Sequence, residues 1–397
     1  MSTLTVTRQV TLPDRFRLER YRRVPEFGPR LLFFTGGSAL REVSTRLTEF
    51  THNSIHLVTP FDSGGSSAVI RDAFDVLSVG DLRNRLMALA DQAVRGNPSV
   101  YRLFAHRFSS RTDSDMLKEE LERMARGKHS LVDQVPNPMR RIVRNHLHYF
   151  LERMPLDFDL RGASIGNLVL TGGYLNNRRH IDPVVFMFSK LVNAQGIVKP
   201  ITGGSYHLAA ELSNGDVVVG QHRITQKAMP TLKHRINRVF LTNSLDSVEP
   251  VRLQAKPPIR ELVQSAELIC FPMGSYFSSV TANLLAEGIG RTVVENQCPK
   301  IYTPNPTPDP ETNGWTLCEQ VENLVGALRT SGSNSHSANR VLDYVLVDSS
   351  RGDYGKSIGA RRIEKLGVRI IDTRLITDSS QPLFDPSLYV EALLSLT

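Results

Sequence analysis

Two aspartates and a set of small residues stand out as capable of chemistry. Asp62 begins the run Asp62-Ser63-Gly64-Gly65-Ser66-Ser67, and Asp81 begins Asp81-Leu82-Arg83-Asn84. Upstream lies Thr35-Gly36-Gly37-Ser38, and downstream Gly274-Ser275-Tyr276-Phe277-Ser278-Ser279. Glycines let a backbone approach a ligand, and the free N–H groups at a helix start favour an anion. Two carboxylates among such loops suit a divalent cation shared with a phosphate. Arg83 and Arg107 add guanidiniums suited to bidentate phosphate contacts. No Ser-His-Asp set is apparent, and no His partner can be assigned to a cysteine nucleophile.

The elements that position these residues follow from periodicity. Leu31 to Phe34 is apolar, and Leu40, Val43, Leu47 and Phe50 then lie on one helical face. The order is strand, glycine turn, helix. A second strand, Ile55 to Thr59, runs into the Asp62 loop, and Gly80 to Asn84 starts another helix. Such loops at the carboxyl ends of strands are where open α/β sheets bind ligands. Each loop alone reads equally as a tight turn, and Asp62 or Asp81 as a cap. Neither a Walker A loop nor a full G-x-G-x-x-G fingerprint is present.

Further along, Val100 to Phe108 reads as a helix, either a core helix with Leu103 and Phe104 inward or one that carries Arg107 to a ligand phosphate or ring. Residues 110 to 160 read as a helical hairpin for a lid or an oligomer contact, stopped once at Gly127. His146 and His148 are two apart and point to different sides. Gly162 to Asn167 is a small-residue run before an apolar helix, with Ser164 and Asn167 as candidate ligand contacts. Asn214-Gly215 marks a hairpin, and Ile236 to Leu241 is a further extended run. Ala266 to Phe271 is a buried strand leading into Gly274 and Ser275, and then into a helix through Leu285. Lys300 to Thr303, Tyr344 to Val347 and Val368 to Ile371 are also strands, and Ser331 to Ser337 is a polar linker. Trp315 reads as a packing residue or as a cover for a ligand ring. Residues 1–30 form an N-terminal extension that adds an edge strand or a strap. Residues 31–397 form one α/β domain, three-layered and Rossmann-like. It has a mostly parallel sheet, a small antiparallel flap and the helical insertion at about 110–160.

Composition bounds the function. The chain has 397 residues, 40% hydrophobic and 22% charged, the profile of a globular protein. No apolar run reaches the length of a membrane span, and the start lacks the apolar core of a secretory signal, so the cytoplasm is expected. Cys270, Cys298 and Cys318 lack metal-ligand spacing and read as free thiols. The net charge is +8, and the 48 basic residues comprise 38 arginines and 10 lysines. This suits an anionic ligand. The Arg-rich N-terminal segment is diluted by acids, which argues against nucleic acid.

The succession TGGSAL, DSGGSS, GDLRN, GASIGNLVL and GSYFSSVTANLL resembles one family, over roughly Leu31 to Ala327. It is the family of 2-phospho-L-lactate transferase and the bacterial gluconeogenesis factor, and the chain is more similar to the second branch. That branch reads GGGTGL, DDGGSSG, PPGDxRN, HSLGNL and GPGSLYTSVxPNLL. This chain has Asp62-Ser63 in place of two adjacent acids and Met273 in place of a glycine. The resemblance implies one of two roles. The first is transfer of a phosphate-linked group from a guanosine diphospho donor to a deazaflavin hydroxyl, with GMP leaving and Mg²⁺ required. The second is non-catalytic binding of a UDP-sugar in regulation of carbon metabolism or envelope synthesis. On either role it implies a homodimer and a nucleotide-linked ligand. The site would be Gly36, Gly37, Ser38, Gly64, Gly65, Ser66, Arg83, Asn84, Arg107, Ser164, Asn167, Gly274 and Ser275, with Asp62 and Asp81 as catalytic and metal-holding acids.

Overall fold

The computed structural model describes residues 9–93, 96–225, 232–331, 341–355 and 357–397. Twelve strands are present: β1 (Leu31–Thr35), β2 (Ile55–Val58), β3 (Ile197–Pro200), β4 (His207–Leu212), β5 (Val217–Val219), β6 (Ile236–Thr242), β7 (Leu253–Gln254), β8 (Leu268–Phe271), β9 (Ala286–Glu287), β10 (Lys300–Tyr302), β11 (Tyr344–Val347) and β12 (Arg369–Asp372). Seven form one sheet in the order β12-β11-β10-β8-β1-β2-β3, and every neighbouring pair is parallel. The chain leaves β1 toward β2 and β3, and later fills the other side from β8 outward. The order therefore reverses between β1 and β8, the switch point at which doubly wound sheets open a crevice.

Both faces of the sheet are covered, so its strands are apolar throughout. Leu31, Phe33, Leu268, Cys270, Ile301 and Leu346 point to one core. Leu32, Phe34, Ile269, Phe271, Tyr302, Val345 and Val347 point to the other. Phe34 stacks on Phe271 with centroids 5.2 Å apart, tying β1 to β8 across the switch point. Leu40, Val43, Leu47 and Phe50 are all buried, as their spacing predicts, on and just beyond the helix Arg41–Leu47. β4, β5 and β6 form the expected small antiparallel sheet, with Asn214-Gly215 at its first turn.

Two expectations are made specific and two need amendment. The N-terminal segment carries no strand among its described residues. It forms a helix, Arg15–Arg23, strapped to the C-terminal helix Pro386–Ser395 by bonds from the Asp14 amide and Arg17 Nη1 to Ser395. The helical insertion packs closely on the domain. Its helix Met139–Arg153 buries Val143, His146, Leu147 and Phe150. A Cβ at Gly172 would stand 2.0 Å from the His146 carbonyl, so helix Ile165–Asn176 seats backbone to backbone against it. The helix over Val100–Phe108 ends at Ala105, and Arg107 lies in an extended bridge to Ser164. The helix predicted through Leu285 is a π turn, Tyr276–Val280, followed by a 3₁₀ turn, Thr281–Leu285. The polar linker over 332–337 lies outside the described residues.

Candidate functional site

The loops after β1, β2 and β8 meet at the switch point around a cleft of about 210 Å³. Its lining includes Gly36, Gly37, Ser38, Asp62, Asp81, Asn84, Gly274 and Ser275, eight of the residues expected from the sequence. Gly64, Gly65, Ser66, Arg83, Arg107, Ser164 and Asn167 do not line it. Gly65 and Ser66 are instead the first residues of helix Gly65–Phe74. Ser164 and Asn167 are buried against the hairpin side of the molecule, with 0% and 1% exposure.

The first loop is held from below by Arg85, which carries no motif in the sequence. Arg85 is fully buried on helix Gly80–Ala88. It donates to the carbonyls of Leu40, Gly36 and Gly37 and to the hydroxyls of Thr35 and Ser44. Burial lowers its pKa to about 10, partly opposed by Asp81, so it stays charged at neutral pH. A trans peptide sets each N–H opposite the preceding carbonyl. With the Gly36 and Gly37 carbonyls turned to Arg85, the Gly37 and Ser38 amides are aimed away from it, on the side of the cleft their residues line. The glycines are needed for contact as well. A Cβ on Gly37 would lie 1.9 Å from Asp81 Oδ1, and one on Gly36 would lie 2.5 Å from Ser279 Oγ.

Arg71 serves the second loop in the same way. It is 4% exposed and donates to the carbonyls of Phe61, Asp62 and Tyr206. Burial lowers its pKa, and Asp62, Asp72 and Asp75 oppose the shift. The Asp62 carboxylate accepts the Gly64 amide at 3.1 Å and lies 3.6 Å from where a Gly80 Cβ would stand. Both acids therefore flank the start of one helix.

The antiparallel flap also reaches the site. Gln221 and Thr225, which follow β5, line the cleft with Thr35, Ala39, Met273 and Ser279. Ser63 Oγ is 2.8 Å from His222 Nδ1 and accepts the His222 amide, pinning this turn to the β2 loop. Burial lowers the His222 pKa, which keeps the imidazole neutral. Only tertiary pairing brings Gln221 and Thr225 here, and neither carries a local signal.

The β8 loop is organised by acids. Glu311, 1% exposed, accepts the amides of Phe277 and Ser278 at 2.8 Å and the Ser278 hydroxyl at 2.6 Å. Asp309 accepts the Tyr276 amide, and Asn305 brackets Gly274 with bonds to its amide and carbonyl. Burial, with Asp309 adding to it, raises the Glu311 pKa to about 8. The PETNGW run therefore belongs to the scaffold of the site. Trp315 donates to the Ile236 carbonyl and carries the Arg235 guanidinium over one face, 4.2 Å from its centroid.

Among the described residues no group of three His, Cys, Asp or Glu could hold a metal ion. Asp62 and Asp81 fit the alternative, a Mg²⁺ bound by one or two carboxylates and completed by ligand phosphates and water. The three cysteines are free thiols. No helix among the described residues is long and apolar enough to cross a membrane.

The chain has relatives among known proteins. The chain is 28% identical to the gluconeogenesis factor of Bacillus subtilis over 322 residues, 81% of this chain and 79% of that one. It is also 28% identical to the gluconeogenesis factor of Listeria innocua over 355 residues, 87% and 88% of the two chains. A crystal structure of a upf0052 family member from Bacillus halodurans superposes with a TM-score of 0.67. It covers 92% of this chain and 99% of that one at 24% identity, a likeness of fold. The family model described as 2-phospho-L-lactate transferase CofD matches residues 31–376, across all seven strands of the main sheet. The chain belongs to the 2-phospho-L-lactate transferase CofD family.

Proposed function

We propose that the cleft binds a nucleotide diphospho compound and transfers its phosphate-linked group to an acceptor hydroxyl. The observation that carries this is the convergence of Gly36–Ser38, Gly274–Ser275, Asp62 and Asp81 on one polar cleft at the sheet's switch point. The Gly37 and Ser38 amides and the Ser275 hydroxyl would donate to phosphate oxygens. The acceptor oxygen attacks phosphorus, the bridging P–O bond breaks, and the nucleoside monophosphate leaves with the electron pair. One of the two aspartates takes the hydroxyl proton. Asp62 and Asp81 would hold a Mg²⁺, which would supply charge neutralisation at the phosphates. Such a transfer depends on positioning and fixed charge rather than on a covalent nucleophile.

A second reading is binding of a UDP-sugar without turnover, as a regulator. Ser63 favours it: a hydroxyl engaged by His222 stands where the resemblance expects a second acid. The names of the relatives favour it too. The test is GMP formation from a guanosine diphospho donor with a deazaflavin acceptor and Mg²⁺. Acceptor-dependent GMP that falls by about 10²–10⁴ in Asp62→Asn and Asp81→Asn supports transfer. A UDP-sugar retained unchanged with every acceptor supports the regulator, and binding of neither compound overturns both. Light scattering tests the proposed homodimer.

A further inference from the structure

The helical insertion carries two charged stripes on its outer side. Helix Ser114–Ala125 exposes Asp115, Glu119 and, just past its end, Arg126, with Glu122 half-buried between them. Helix Met139–Arg153 exposes Arg141, Asn145, His148 and Glu152. Both sets are spaced four, three and four, so each forms one stripe along its helix. The stripes border a groove of about 1170 Å³, lined by Glu122 and Arg126 from one helix and by Arg141, Asn145, His148 and Glu152 from the other. Ala125, Ile142 and Leu151 add apolar surface to it.

The charges are sorted by position. Arg144 Nε donates to the Ala125 carbonyl at 3.0 Å, so the end of the first helix lies beside the start of the second. The two pack side by side and therefore run antiparallel. Arg126 and Arg141 share one end of the hairpin, and Asp115, Glu119 and Glu152 share the other. Helix stability does not account for this. The early acid Asp115 suits the dipole of its helix, but Arg140 and Arg141 in the first turn of Met139–Arg153 oppose theirs. Asp115 and Glu119 are like charges one turn apart, which also destabilises a helix. Glu122 pairs with Arg126, Arg140 with Asp133, and Glu152 with His148 and Arg153. Among the described residues Asp115, Glu119 and Arg141 form no ion pair.

We propose that this face docks a second copy of the chain. The two insertions pack about a two-fold axis, with the acidic end of each hairpin against the basic end of the other. A two-fold contact is self-complementary, so each pairing occurs twice. Asp115 and Glu119 of either copy meet Arg126 and Arg141 of the other. An unrelated acidic partner satisfies Arg141 but sets like charge against Asp115 and Glu119, and the second copy satisfies both. The apolar lining of the groove and Met116, 63% exposed, supply the apolar area that such a contact buries. The contact belongs to the insertion and does not depend on what the cleft binds.

The test is charge exchange, read as mass by light scattering over a series of protein concentrations. Asp115→Arg with Glu119→Arg makes one variant, and Arg126→Glu with Arg141→Glu makes the other. All four side chains are exposed, so both variants are expected to fold, which circular dichroism checks. Each variant alone sets like charges together twice, and its self-association is expected to weaken about tenfold or more. Mixed in equal amounts, the two are expected to associate as the unaltered protein does, because opposite charges then meet at both ends. One chain carrying all four substitutions should do the same. Unaltered protein that stays a single chain throughout overturns the proposal. So does association that both variants keep, which places the contact on another face, or a mixture that fails to recover it.

Discussion

The loops on the two sides of the switch point are held from opposite ends of the hydrogen bond, by donors on one side and by acceptors on the other. On the β1 and β2 side, buried Arg85 and Arg71 donate to loop carbonyls. On the β8 side, Asp309 and Glu311 accept loop amides. The consequence for a ligand differs. A guanidinium that occupies carbonyls leaves the amides for an anion, so the β1 loop presents N–H groups. Carboxyl oxygens that occupy amides withdraw them, so the β8 loop offers the cleft the Ser275 and Ser279 hydroxyls. One side is built to recognise anionic oxygen, and the other to shape the wall opposite.

Breaking the cationic support should have the largest effect. Arg85→Met removes the donor to three carbonyls and two hydroxyls in a fully buried setting. Leaving these unpaired is expected to destabilise the fold by about 3–5 kcal/mol, comparable to breaking a buried charged network. Urea unfolding would measure it, and a loss under about 1 kcal/mol would show that the loop holds itself. Arg85→Lys keeps the charge but cannot span the same acceptors, so most of the loss should persist. Gly37→Ala comes next. Its Cβ would collide with the Asp81 carboxylate at 1.9 Å and meet Asp81 Cα at 3.1 Å. The expected cost is about 1–3 kcal/mol of stability, with loss of ligand binding in a calorimetric titration. Tight binding by this variant would show that Asp81 can move without consequence.

The comparison also explains what was legible in the sequence. β1, β2 and β8 are short, apolar and bounded by glycine or proline, so local pattern suffices to find them. Asp62, Asp81 and the glycines sit directly at strand or helix ends, where position in the chain already places them at one edge of a parallel sheet. Arg85 and Arg71 look like ordinary helix-surface arginines, because nothing local says which face of a short helix is covered. Gln221 and Thr225 reach the cleft only through the flap, and Glu311 depends on a loop about thirty residues from its amides. Arg107 lies off the expected helix for a related reason: Val100 to Phe108 keeps helical spacing, but the pairing of Arg107 with Ser164 ends the helix early. The long-range partner overrode the local preference.

The acidic support should yield the smallest effect at neutral pH and the most distinctive pH profile. Burial and the Asp309 charge raise the Glu311 pKa to about 8, above its ordinary value of 4.5. The folded state therefore favours the protonated form. Its contribution is fully present below about pH 4.5 and is lost as pH rises through about 8. A protonated Glu311 still accepts the Phe277 and Ser278 amides on one oxygen, and the other can donate to the Ser278 hydroxyl. Glu311→Gln reproduces that arrangement without a proton to lose. The variant should match the unaltered protein near pH 5 and be the more stable of the two near pH 9, read as melting temperature across that range. Parallel profiles for the two proteins would mean that Glu311 is ionised throughout, held as a carboxylate by the two amides. The β8 loop would then rest on a buried charge, as the β1 loop does, and the contrast would be one of sign alone.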